Sequence, residues 1–363
     1  MEENTVCFLT YDWSFGTDPL EPNGCNWYRC ILPTMELRNN GWIADVGFPG
    51  FAEEFGFGLL QPDHSYTHGW DVIVFKLVML DTVAENMAVA KARGQKIVVD
   101  LDDWFEGLHH TNTAFKMTDP KVNKHSNRDH YMKIIDGADA LITSTPFLHD
   151  FYKNVKGHEH VFLVRNGIDL DRWTPKKDHS RYLPKIGWVG ATPWRSQDLE
   201  TMRPWFGEWM REKRLDFHHS GSIKNAPSAA DQIGLLPGTK FTSQPMQPIS
   251  TYPELFRKID IGIVPLSNID FNHAKSTIKG LEYAAAGIPF VASYSPEYAL
   301  LAEQGVGRVA YNPQQWKDAL EALLDPSERK LEVERNLAGI REHHSIEVRG
   351  HDWSEVMHKI KSL

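Results

Sequence analysis

Short apolar runs rich in β-branched residues alternate along this chain with longer stretches of helical periodicity, and few folds accommodate that order. Residues 6–10, 72–75, 96–100, 140–143 and 161–164 each read as a buried strand. Between them, 27–39, 82–93 and 128–136 read as helices, closed by Asn40-Gly41, Gly94 and Gly137. Strand, helix, strand in sequence predicts a parallel sheet covered on both faces. A polar, proline-marked break at 173–178 interrupts the pattern, and Pro184 restarts it. Strands then follow at 185–189, 215–219, 260–264 and 289–293, with helices at 198–213, 278–286, 316–324 and 327–341. The expectation is an α/β chain of two tandem Rossmann-like, doubly wound domains, 1–178 and 179–340, facing a cleft, with 341–363 as a closing segment. In such sheets ligands sit at the carboxyl ends of the strands, so the residues just after each strand carry the chemistry.

Composition narrows the function. At 363 residues the chain has room for two cores, and 41% apolar with 24% charged residues excludes wholesale disorder. A net charge of −9 argues against a protein that grips nucleic acid with its whole surface. Cys7, Cys25 and Cys30 are odd in number and form no CxxC pair, which argues against a disulfide scaffold or a structural zinc site. The N-terminus is acidic where a signal peptide is basic, and the longest apolar run, 72–80, contains Lys76 and is too short to span a bilayer. A cytoplasmic chain without stable membrane insertion is expected. The 12 Trp, 11 Tyr and 18 Phe serve first as core filler, although flat rings also stack on sugars or bases.

The most informative segment runs from Lys275-Ser276-Thr277-Ile278-Lys279-Gly280-Leu281-Glu282-Tyr283 through Ala284-Ala285-Ala286 to Gly287-Ile288-Pro289-Phe290-Val291-Ala292-Ser293. Small residues let a helix pack closely on a sheet, and Gly-Ile-Pro ends it sharply. The segment resembles the donor-site signature of GT-B sugar transferases, especially glycosyltransferase family 4 (glycosyl transferases group 1) of the phage and bacterial type. Other pieces resemble that family in order: Asp136-Gly137-Ala138-Asp139-Ala140, Val164-Arg165-Asn166-Gly167-Ile168-Asp169, Ile186-Gly187-Trp188-Val189-Gly190 with Arg195, and Asp260-Ile261-Gly262-Ile263-Val264-Pro265. One departure stands out. Many members carry a second glutamate upstream of the first, and here that position is Ala274, so its role in placing the donor sugar does not carry over.

The resemblance implies the GT-B fold, a last segment crossing back onto the N-terminal domain, a UDP- or GDP-sugar donor, retention at the anomeric carbon and no metal or other cofactor. Gly24, Gly190, Arg195, Lys275, Ser276, Lys279 and Glu282 are the candidate donor-binding residues, with Glu282 on the ribose hydroxyls. Asp102, Asp103, Arg195 and Lys279 are the candidate catalytic residues, the cations meeting the charge on the leaving diphosphate.

Asn23, Arg29, Trp104 and His109 are the candidate acceptor contacts. The loop 22–29 after the first strand opens a helix, and Asp100-Leu101-Asp102-Asp103 clusters three acids at a strand end, where their repulsion argues for a role beyond stability. The same acids look like a metal-binding DxD or the opening of a phosphatase, but Trp104 stands where the phosphatase needs Thr or Val. The histidine pairs at 109–110, 218–219 and 343–344 lack the spacing of helical zinc ligands. The stretch 116–133 is net positive through Lys116, Lys121, Lys124, Arg128 and Lys133. It reads as a solvated surface or as a grip on a polymer. A glycan or protein acceptor ranks first and phage DNA carrying hydroxymethylated bases second. A nucleotide-sugar epimerase or a non-catalytic nucleotide-sugar binder of the same fold is the rival class. The oligomeric state is not legible.

Overall fold

The computed structural model describes residues 3–14, 20–110, 112–119, 121–123, 127–194 and 196–363. These form two compact units, one of residues 1–167, 274–276 and 346–363, the other of 168–273 and 277–345.

In the first unit, β1 (Thr5–Thr10), β2 (Ile43–Gly47), β3 (Val72–Lys76), β4 (Lys96–Leu101), β5 (Ala140–Thr143) and β6 (Val161–Leu163) form one sheet in the order β6-β5-β4-β3-β1-β2. Every pairing is parallel, with Val6 opposite both Ala44 and Val72. Being covered on both faces, β3 and β5 are buried at every residue, which is why they read as unbroken apolar runs. The helix after β1, α1, runs through Gly24–Asn26, Trp27–Ile31 and Leu32–Asn39, with a widened turn where the Leu32 N–H reaches back to the Trp27 carbonyl.

Two features were not legible. β2 is a partly exposed edge strand, and a three-stranded antiparallel sheet (Pro49–Ala52, Gly56–Leu60, Tyr66–Thr67) occupies a glycine-rich stretch of weak strand propensity.

The second unit contains β7 (Ile186–Val189), β8 (Phe217–Ser222), β9 (Phe241–Pro245), β10 (Ile261–Val264), β11 (Phe290–Ser293) and β12 (Arg308–Ala310), all parallel, in the order β9-β8-β7-β10-β11-β12. The helix expected over 198–213 is instead two pieces, Ser196–Glu200 and Phe206–Glu212. Pro204 lies between them, where it lacks a donor and disfavours helix at the residue before it. Residues 168–178 pack with this unit: the Lys176 ammonium pairs with Asp260 and the Lys176 N–H bonds the Ala286 carbonyl.

Buried aromatics fill this core, among them Trp188, Trp205, Phe206, Trp209, Phe217 and Trp316. Behind the Gly-Ile-Pro turn, α2 (Ile278–Ala285) presses on β10: a Cβ at Gly262 would lie 2.5 Å from the Tyr283 ring. Tyr283 then bolts α2 to β7, its hydroxyl accepting from the Val189 N–H at 3.0 Å and donating to the Gly187 carbonyl at 3.2 Å. Gly287 has φ +68°, and a side chain there would strike the Lys176 backbone at 2.7 Å.

The chain's last two helices separate. α3 (Pro326–His343) belongs to the second unit, whereas α4 (Ile346–Lys361) belongs to the first, where it packs on α1 and places Trp353, Val356, Met357 and Ile360 in a core with Val6, Phe8, Leu37 and Val72. No helix among the described residues is long and apolar enough to cross a membrane.

Candidate functional site

In the first sheet the strand order reverses between β1 and β3, and the crevice outside the carboxyl ends of such strands is where ligands bind. The chain loads that place with ionisable groups. Lys76, the last residue of β3, is wholly buried, its ammonium against Asp102 and 3.5 Å from Asp100. Burial opposes its charge, but the two carboxylates outweigh burial and raise its pKa. Burial likewise opposes the charge of Asp102, yet Lys76, Arg29 and a hydrogen bond from Cys25 hold its carboxyl below the ordinary value. The three acids therefore do not simply repel one another. Asp100 and Asp102 have cations of their own, and Asp103 stands half-buried beside them.

Arg29 differs from the expected acceptor contact. Its guanidinium is wholly buried, donating to Asp100 at 2.7–3.0 Å, to the Val164 carbonyl at 2.8 Å and to Asn166 Oδ1 at 3.0 Å. It also lies 4.8 Å from the centre of the Trp353 ring. Arg29 thus joins α1, β4 and the 164–166 segment from inside, because a cation taken out of water needs this full set of partners. From Asn166 the bonding continues: its Nδ2 donates to Ser276 Oγ at 2.8 Å, while the Thr145 hydroxyl donates to the Ala274 carbonyl at 2.9 Å. Ser276 and half-buried Lys275 therefore group with the first unit, and Lys279 and Glu282 belong to the second.

Trp104 packs edge-on against Phe147 and Phe151, both at 5.2 Å, under Gly107, where a Cβ would sit 2.0 Å from the ring. His109 is half-buried, its ring centre 4.1 Å from that of His110 and tilted 38° to it.

Asp12, a residue the sequence reading passed over, organises the loop after β1. It accepts from Asn23 Nδ2 at 3.0 Å and from the Asn26 N–H at 2.9 Å, so a protein carboxylate already occupies the start of α1. Burial raises its pKa, against the lowering effect of those bonds. Its only advance signal was its place two residues beyond a strand. Next to Asn23, Gly24 faces open space: a Cβ there would meet nothing within 4 Å.

The second sheet reverses between β7 and β10. Gly190 follows β7; its N–H bonds the Ser220 carbonyl at 2.9 Å, its carbonyl meets His219 Nε2 at 2.8 Å, and Gly221 packs so close that a Cβ there would lie 2.8 Å from the Gly190 oxygen. Arg195, like Lys124 of the basic stretch, lies outside the described residues. Buried Asp198, also unforeseen, ties the loop after β10 by accepting from the Ser267 N–H and hydroxyl at 2.9 Å and from Asn272 at 2.7 Å.

On α2, Glu282 sits in the second turn, 3% exposed. Its Oε2 accepts from Lys279 at 2.6 Å and from the Tyr252 hydroxyl at 3.2 Å, and Lys279 also donates to that hydroxyl at 2.7 Å. The Lys279 ammonium lies 5.4 Å from the Tyr252 ring centre. Two candidate donor residues are thus brought together, with Tyr252 as a partner whose distance along the chain gave no signal. A carboxylate and an ammonium held side by side suit a ligand bearing hydroxyls next to phosphate. Among the described residues no group of three or more His, Cys, Asp or Glu side chains is arranged to hold a metal ion.

No family model matches the sequence, and no curated protein does. Solved structures match in fold. A sucrose-phosphate synthase from Thermosynechococcus elongatus aligns with TM-score 0.66 at 11% identity, over 99% of this chain and 100% of that one. A glycosyltransferase from Rickettsia africae aligns with TM-score 0.65 at 11% identity, over 99% of each chain. Anabaena Alr3699/HepE, in complex with UDP, aligns with TM-score 0.62 at 15% identity, over 99% of this chain and 100% of that one. With two parallel, doubly wound sheets of six strands each, the chain has the GT-B fold.

Proposed function

We propose that this chain is a glycosyltransferase that moves a sugar from a nucleotide-sugar donor to a hydroxyl of a polymeric acceptor, with retention at the anomeric carbon, in the manner of glycosyltransferase family 4. The observation that carries the reading is the buried Glu282 with Lys279 and Tyr252 on and beside α2, in a chain of GT-B fold. A UDP donor is favoured over GDP, since Anabaena HepE is matched in complexes with UDP and with UDP-glucose.

In the proposed reaction the bond from the anomeric carbon to the β-phosphate oxygen breaks, and its electron pair stays on the phosphate. The acceptor hydroxyl forms the new bond on the same face, and its proton passes to the leaving phosphate oxygen. Lys275, Lys279 and Arg195 are the cations for the developing charge, Ser276 and Gly190 approach the phosphates, and Glu282 holds the ribose. Asp102 and Asp103 receive the acceptor hydroxyl. A carboxyl held below its ordinary pKa accepts hydrogen bonds well but takes up a proton poorly, which supports leaving the proton to the phosphate.

A glycan or protein acceptor is favoured over modified DNA. Arg128, within the basic stretch, is paired with Asp119 at 2.8 Å, which leaves that stretch less positive charge for a polyanion. The test is incubation with UDP- and GDP-sugars in the presence of EDTA. Transfer that continues under chelation, with the donor's anomeric configuration kept in the product by NMR, is expected. Activity lost with EDTA and restored by Mg²⁺ or Mn²⁺ moves the acids into a metal role, and sugar isomerisation without transfer favours the epimerase.

A further inference from the structure

The loop after β1 carries more than polar groups. Tyr11 and Trp13 flank Asp12, and Phe48, the residue after β2, meets both: its ring centre lies 5.9 Å from that of Tyr11 and 5.8 Å from that of Trp13. Tyr11 is 41% exposed, and Trp13 and Phe48 are half-buried. The rings are held in place. The Trp13 indole N–H donates to the Thr10 carbonyl at 3.2 Å, and the Trp13 backbone N–H to the Tyr11 carbonyl at 2.9 Å. The Asp12 N–H donates to the Thr10 hydroxyl at 3.0 Å.

These rings lie just beyond the carboxyl ends of β1 and its other neighbour, β2. On the β3 side, Leu77 follows Lys76 with φ +52°, a conformation costly for a leucine and typical of places that serve a ligand.

We infer that Tyr11, Trp13 and Phe48 form the wall, and Asp12 the adjoining hydrogen-bonding group, of a subsite for the sugar rings of a neutral glycan. The inference rests on the glycosyl-transfer reading and names its acceptor class. A pyranose presents an apolar C–H face rimmed by hydroxyls. Aromatic faces take the former, and a carboxylate with remaining acceptor capacity takes the latter. A wholly apolar ligand would offer nothing to the acceptor capacity that Asp12 keeps beyond its bonds from Asn23 and the Asn26 N–H. A nucleic acid is disfavoured by charge: Asp12, Asp102 and Asp103 gather near Cys25 at this end of the sheet, against the one ammonium of Lys76, which is wholly buried.

The experiment presents the full chain to immobilised neutral oligosaccharides, uronate-bearing oligosaccharides and a 5-hydroxymethylcytosine oligonucleotide, with UDP and GDP titrations on the same preparation. Tyr11→Ala, Trp13→Ala and Phe48→Ala are compared with the parent; Tyr11, the most exposed, is the substitution the fold tolerates best. Binding of neutral oligosaccharides by the parent, weakened about tenfold or more by each substitution, is the expected result. No neutral oligosaccharide bound by the parent, or binding that all three variants keep, overturns the inference while UDP binding keeps the transferase reading. Retention of the oligonucleotide alone, lost in the variants, overturns it in favour of nucleic acid. Oligosaccharide binding without UDP or GDP binding leaves the subsite standing and removes the transferase reading.

Discussion

Glu282 and Arg29 are both charged, both on helices and both buried, yet they answer to different physics. Glu282 holds a cation and a hydroxyl on the same carboxylate oxygen. Replacing it with alanine removes a charged hydrogen-bond acceptor from the proposed ribose position, worth about 1.5–3 kcal/mol, so UDP affinity should fall roughly ten- to a hundredfold. Calorimetric titration of the variant checks this, and unchanged affinity removes Glu282 from the donor site. Arg29 behaves in the opposite sense. Arg29→Met strands Asp100 in the core, and breaking a buried pair costs about 3–5 kcal/mol, visible in denaturant unfolding. Adding Asp100→Leu should recover part of that loss, because an apolar pair no longer leaves a lone charge; a double variant less stable than the single one contradicts it. The sequence offered no means of separating these two roles. Arg29 reads as a loop cation beside an open glycine, and its partners lie 71 and 137 residues away.

Strands carry signals of their own. On β8, His218 is 1% exposed, with Nδ1 2.8 Å from the Thr242 hydroxyl. Burial, together with Lys185, Lys258 and His219, pushes its pKa down to about 4. Its unfolded value is about 6.5. Between the two, the unfolded chain binds the extra proton, so this contribution to stability is complete above about pH 6.5 and is lost as the pH falls to about 4. His219 shifts in the same direction, also through burial. Melting curves across that interval should fall with acid, and His218→Gln should flatten them; an equally steep variant shows that another group titrates. The sequence reading placed most buried strands within a residue or two, because four or five consecutive apolar β-branched residues have few other uses. It missed β2, where Asp45 and Gly47 dilute the signal, and the edge strands β9 and β12 of the second sheet, and it joined two helices across Pro204, giving helical periodicity more weight than proline geometry. The donor segment was legible for a local reason: small residues, a glycine turn and a proline all lie within one continuous stretch. Tyr252 and the Tyr11–Trp13–Phe48 wall depend on contacts made only after folding.

The first unit draws on both ends of the chain. Trp353 on α4 is 1% exposed, meets Phe8 edge-on at 5.8 Å and lies under Arg29. Trp353→Ala should cost about 3–5 kcal/mol through the cavity alone. If the two units unfold separately, the loss should appear in only one of two calorimetric transitions; a single transition shifted as a whole would mean that the chain unfolds as one cooperative body. The same arrangement bears on synthesis. At roughly 5–20 residues per second, the ribosome needs on the order of ten seconds or more to travel from Gly167 to the residues of α4. Over that interval the apolar faces of β1 and α1 have emerged without the helix that covers them, while the second unit, nearly continuous in the chain, is being made. The first unit therefore completes its core only after every strand of the second has been made, although its own strands come first in the chain.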